Sequence, residues 1–156
     1  MAALAGRRVV LVGLAALACG GGAGERADAP EVLASHAAIP APPAPTEASA
    51  FLTLYNRGGA PDTLLGVESP QAGGVMLHEM VGGRMEMVTA IPLPAGRPVR
   101  LVPGSYHLMM HELTGPLAAG DTVTLTLRFA RASPVVVRAP VLRYTEAVEA
   151  ATAPVR

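Results

Sequence analysis

Residues 107 to 113, HLMMHEL, set two histidines and two methionines within five positions. Upstream, VMLHEMVGGRMEMV over residues 75 to 88 carries one more histidine and four more methionines. Every methionine except Met1 falls between Met76 and Met110, and so do three of the four histidines. Imidazole nitrogen and thioether sulfur are metal donors. Thioether is soft and neutral, suits Cu(I), and has little affinity for hard cations such as Mg²⁺ or Ca²⁺. Zn²⁺ normally takes Cys, His or carboxylate. A mixed His/Met set therefore points to copper. A blue-copper electron-transfer centre needs a cysteine. The single cysteine, Cys19, ends an apolar N-terminal run, so that chemistry is excluded. Binding, delivery or sequestration of copper is left.

These donors need strands to position them. Side chains alternate faces along a strand, so His107, Met109 and His111 share one face of HLMMHEL. Leu108, Met110 and Glu112 share the other. In the upstream stretch Met76, His78 and Met80 share a face, as do Met85 and Met87. VGGR between the two runs is a hairpin signal with Gly82 and Gly83 at its tip. Folding this hairpin beside the later strand would bring nitrogen and sulfur donors to one ion. The rest of the chain also reads as short strands broken by Gly and Pro. Candidates are residues 50–55, 63–68, 99–102, 122–130 and 135–141. TVTLTLRFA alternates Val123, Leu125, Leu127 and Phe129 with Thr and Arg. The Pro-rich run 38–46 reads as an extended edge or loop, because proline donates nothing to a ladder. The expected architecture is an all-β domain of seven or eight strands.

Composition narrows the function further. Formal net charge is zero at pH 7, which gives nucleic-acid binding no electrostatic support. At the N-terminus, Arg7 and Arg8 precede an apolar segment from Val9 to Ala18. It is too short to span a bilayer as a helix, which takes about 20 residues, and reads as an export signal. Cys19 after Ala16, Leu17 and Ala18 resembles the lipidation site of a bacterial lipoprotein, although Ala16 stands where such signals usually have Leu. Removal of the signal takes two of the twelve basic residues and none of the twelve acidic ones, leaving a net charge of −2. The expected organisation is a lipoprotein-type signal over 1–19, a flexible tether over 20–31, a copper-binding β domain over 32–143, and a tail over 144–156. The tail is expected to be frayed, with room for a short helix.

The sequence resembles the PCuAC-type periplasmic copper chaperones from about Ala34 to Val141. The resemblance rests on AFLTLYNRGGAPDTLLGVESPQAGGVMLHEM, on MEMV with IPLPAG, and on LVPGSYHLMMHELTGPLAAGDTVTLTLRFA. It implies a cupredoxin-like β-sandwich or barrel. It also implies a ligand set of His78, a methionine of the MEMV block, His107 and Met109. That methionine is most simply Met87, with Met85 as the alternative. Eight residues separate His78 from Met87, and 19 separate Met87 from His107. Each gap is two fewer than the family pattern. Two is the strand period, so the hairpin can shorten without turning a ligand to the other face.

The same resemblance implies a monomeric carrier of Cu(I), and possible Cu(II), in the periplasm, with a copper acceptor such as a cytochrome c oxidase subunit or assembly factor as partner. It implies no enzymatic activity. The membrane would be met only through a lipid at Cys19. His111 could add an imidazole suited to Cu(II), and His36 reads as a polar surface residue. Met76, Met80 and Met110 taken singly read as core filler. Glu79 and Glu112 read as rim charges or partner contacts, and Tyr106 as packing. Copper sequestration for tolerance shares the chemistry but not the role. A purely structural β-sandwich would bind no copper. A metal hydrolase would need an open metal position and a placed base, and HEMVG does not supply the HExxH arrangement.

Overall fold

The computed structural model describes residues 29–154. The expected signal, Cys19 and most of the expected tether lie outside the described residues. The described chain runs β1 (Val32–Pro40), β2 (Glu47–Asn56), β3 (Asp62–Glu68), β4 (Ala72–Val81), β5 (Arg84–Val88), β6 (Ile91–Leu93), β7 (Pro98–Leu101), β8 (His107–Leu113), β9 (Thr122–Phe129), β10 (Val135–Leu142) and α1 (Tyr144–Thr152). The strands follow one hydrogen-bonded path, β5-β4-β8-β2-β1-β10-β9-β3-β6, with β7 also on β2.

The path folds over on itself so that its inward faces share one core. Leu52, Leu54, Leu77, Leu108 and Met110 contribute from one part, and Leu64, Ile91, Val123, Leu125 and Leu127 from the other. In β9 the alternation seen in the sequence buries Val123, Leu125, Leu127 and Phe129 and leaves Thr122 and Arg128 exposed. β2 pairs with β8 through Glu47–Ala50 and with β7 through Leu52–Tyr55 on the same side. β7 and β8 therefore lie end to end, and the turn between them delivers the chain to His107.

β1 connects the two parts of the sandwich. It pairs antiparallel with β2 up to Ala38 and then parallel with β10 at Ile39 and Pro40. The register shifts between Ser35 and Ala38, where His36 adopts φ 53°. A bulge of this kind bends a strand and lets it change sheets. His36 thus stands at the corner, its Nδ1 2.9 Å from the hydroxyl of Ser35.

The described residues form ten strands where seven or eight were expected. β1 was missed because its small and polar residues break period-two alternation at the bulge. β6 is three residues inside the Pro-rich IPLPAG segment, and it lies at the end of the path, where an edge tolerates Pro92. The Pro-rich run is strand as far as Pro40. The tail forms a nine-residue helix that packs on β1 and β2 and buries Ala147 and Ala151. The Arg100 guanidinium on β7 donates to the carbonyls of Thr152 and Ala153, which satisfies acceptors that a helix end leaves free.

Asp62 opens β3 and is 5% exposed. Its carboxylate accepts from the backbone amides of Thr63, Arg131 and Ala132 at 2.8, 3.0 and 2.8 Å. It thereby fixes the turn between β9 and β10. Replacing it leaves part-buried amides without their acceptor, so Asp62→Ala should lower stability by roughly 1–3 kcal/mol. Urea unfolding checks this. Arg128→Ala, which removes an exposed pair with Glu68, should leave the midpoint nearly unchanged.

Candidate metal centre

β4 is the middle of three adjacent strands, with β5 on one side and β8 on the other. The β4–β5 hairpin closes tightly at Val81↔Arg84. Gly82 and Gly83 have φ of 57° and 80°, the pair of positive values a two-residue I′ turn requires. This fixes the β5 register, with His78 opposite Met87 and Met80 opposite Met85. On the other side, His78 is opposite His107, Met76 opposite Met109, and Gly74 opposite His111.

Directly paired residues share a face. Leu77 and Leu108 form a pair that points into the core, as do Val75 and Met110. The other face therefore carries Met76, His78, Met80, Met85, Met87, His107, Met109 and His111. All four candidate ligands, His78, Met87, His107 and Met109, lie on it. Met110 belongs to the core, whereas Met76, 38% exposed, lies on the donor face and fills no core space. His111 lies over Gly74, where a Cβ would come within 2.3 Å of its Nε2. Four residues of strand put it about 13 Å along β8 from His107, beyond the reach of an ion shared with that residue.

The two central imidazoles are 9% and 7% exposed, for His78 and His107. Their ring centroids are 5.6 Å apart and tilted by 52°. Two imidazoles bound to one ion at about 2.0–2.1 Å place their centroids about 5–6 Å apart, so the spacing fits a shared metal. His107 Nδ1 lies 3.2 Å from the Ser105 carbonyl. A carbonyl only accepts, so Nδ1 carries the proton and the neutral ring offers its lone pair at Nε2. Metal-ligating histidines are commonly oriented in this way. His78 Nδ1 is buried and has no hydrogen-bond partner, although buried polar atoms are normally satisfied. Burial, and then the proximity of His107, hold the His78 pKa below the ordinary imidazole value, which favours the neutral form that ligates.

Methionines share the face of this pair. Met87 is 67% exposed and faces His78 across the hairpin. Met109 follows His107 on the same face of β8, and its outer side lines a hollow with the 40–44 loop and Tyr144. Met85 brings its Sδ to 3.2 Å from His107 Nε2. Sequence periodicity placed Met85 on this face but gave no sign of that contact, because it crosses β4 diagonally. Among the described residues no three His, Cys, Asp or Glu side chains converge.

The LpqE-like family model matches residues 32–141. A protein of Leifsonia xyli subsp. xyli, named as a lipoprotein, is 33% identical over 106 residues, 65% of this chain and 64% of its own length. The chain thus spans slightly less than two thirds of that relative. Among solved structures, the copper-bound PCuAC domain of PmoF2 superposes with a TM-score of 0.64 at 26% identity, over 74% of this chain and 95% of that domain. The Cu(I) form of DR1885 from Deinococcus radiodurans gives 0.61 at 29% identity, over 72% and 78%. The fold is the cupredoxin-like sandwich of PCuAC domains, and the likeness to the PCuAC-type copper chaperone family is the one expected from the sequence blocks.

Two NMR measurements on the metal-free protein test these ring states. At mildly alkaline pH, long-range ¹⁵N correlations should show the Nδ1–H tautomer at His107. The opposite tautomer would mean that Ser105 does not orient the ring. The His78 ring should titrate below about 6.5, the ordinary imidazole value. In the unfolded chain it protonates at that value. Stability is therefore full above it and is lost as pH falls from there toward the lower folded pKa.

Proposed function

The chain belongs to the LpqE-like family, whose members are named as lipoproteins, and we propose that it is a copper chaperone of the cell envelope that binds one Cu(I) at the β5–β4–β8 face. The observation that carries this reading is the approach of two nearly buried imidazoles, 5.6 Å apart, on a strand face that also carries methionines. His78 and His107 supply nitrogen, and Met109 and Met87 supply sulfur. All four donors are neutral, so the bound ion keeps its single positive charge. Soft sulfur favours the reduced ion over hard cations. The copper-bound PCuAC domain of PmoF2 and the Cu(I) form of DR1885 support the choice of metal.

The chaperone acts as a monomer, and its client is an apo copper acceptor, with cytochrome c oxidase assembly as the destination that the PCuAC resemblance suggests. Cys19, once lipidated, would hold the domain at a membrane surface on the periplasmic side. The relative named as a lipoprotein supports this placement. Among the described residues no helix is long and apolar enough to cross a membrane.

A Cu(I) titration of the exported chain against a competing chelator is the direct test. One tight equivalent is expected. His78→Ala, His107→Ala and Met109→Ala should each weaken it by roughly tenfold or more, the size of one lost donor of about 1.4 kcal/mol. Met87→Ala should act in the same direction. Binding indifferent to all four changes would overturn the site. Mixing the loaded protein with an apo copper acceptor domain then separates the roles. Transfer within minutes supports delivery, and retention of the ion would make the protein a sequestering one.

A further inference from the structure

β5 is an unusual strand for a sandwich. Its first four residues, Arg84, Met85, Glu86 and Met87, are all exposed, so it gives almost nothing to the core. It is also the free edge of the sheet path. Yet Met85, 53% exposed overall, does not direct its sulfur to solvent. The side chain leans across β4 and sets Sδ 3.2 Å from His107 Nε2. The His107 proton is on the opposite nitrogen, held by Ser105. When the ring is neutral in that form, its Nε2 lone pair faces the sulfur.

An ion bound at about 2.0 Å to nitrogen and about 2.3 Å to sulfur spaces those atoms by about 3.3–3.5 Å at an ordinary bond angle. The observed separation needs only a few tenths of an ångström of relaxation to become that bite. Met109 lies on the same face as His107, two residues along β8. Met109 lies two strands inside the sheet edge, and Met85 lies on the edge itself.

We infer that Met85 is a donor to the same ion, and that His107 is shared between two overlapping positions for Cu(I). The inner position uses Met109, Met87 and His78. The outer position uses Met85, at the free edge of the sheet. This inference rests on the copper-binding reading above. An ion that exchanges one thioether for another while staying on His107 never leaves its nitrogen ligand. It moves toward the side from which an acceptor can approach.

Ag(I), a redox-stable Cu(I) analogue, tests this with methyl-¹³C-methionine in the full exported chain. Single Met→Leu variants assign the methyl signals. At one equivalent the Met85 methyl should shift together with those of Met109 and Met87, while the Met76 methyl, opposite Met109 rather than an imidazole, stays in place. Met85→Leu should weaken Cu(I) binding severalfold, and Met76→Leu should not. Movement at Met109 and Met87 with none at Met85, or equal affinities for the Met85→Leu and Met76→Leu variants, would overturn the outer position and leave the inner site intact. Movement at none of these methyls would overturn the copper reading itself, and the outer position with it.

Discussion

His78 stands opposite Met87 on one side and opposite His107 on the other because β4 is paired in fixed register with both neighbours. That double pairing is the constraint on which the site depends. A slip of one residue on either side would send an imidazole or a thioether to the opposite face. Each register is held by something other than the donors. The β5 register is set by a two-residue turn whose backbone only glycine adopts without strain. The β8 register is set by Leu108 and Met110, both fully buried, which pair with Leu77 and Val75 on the core face. Core packing on one side of the sheet thus determines donor geometry on the other.

The connections into these strands refine the geometry. Pro103 and Gly104 turn the chain from β7 into β8, with Gly104 at φ 82°. That turn leaves the Ser105 carbonyl beneath the His107 ring. A single backbone acceptor then decides which nitrogen faces the methionines. Further along, Gly73 and Gly74 leave room for side chains from β8, since a Cβ on either would collide with Glu112 or His111. Glu112 takes φ 53° at this point. The far end of β8 is shaped by these small residues, and His111 is drawn over Gly74 and away from the central pair.

Much of this was legible in the sequence, for a specific physical reason. Period-two alternation places His107 with Met109 and His78 with Met76 and Met80 without any structure, and the Gly-Gly tip announces the hairpin. Where alternation is interrupted, the sequence is silent. β1 was hidden by the bulge at His36, and β6 by its brevity and its proline. The helix at the end is held by Ala147 and Ala151 and by Arg100, a residue 52 positions from Thr152 in sequence. The same limit applies at the site. Periodicity puts Met85 and Met87 on one face but cannot say which leans where. A diagonal reach across a strand depends on side-chain torsions and sheet twist, and neither is written in the spacing.

The placement of the donors also answers a difficulty of edge strands. An exposed apolar edge is a template for unwanted pairing, and β5 presents two methionines there. Arg84 and Glu86 alternate with Met85 and Met87, so charge is interleaved with the two methionines along the edge. Charges on an edge strand oppose association with another sheet, yet they point to the face away from the imidazoles and so do not crowd the donors. The strand is short, five residues, which limits the backbone it could offer to a partner strand. The proposed copper site needs exposed soft ligands to meet an acceptor, and a sandwich needs a guarded edge. Alternation of Met with Arg and Glu along one short strand satisfies both demands, because the two faces of a strand can be assigned to different tasks.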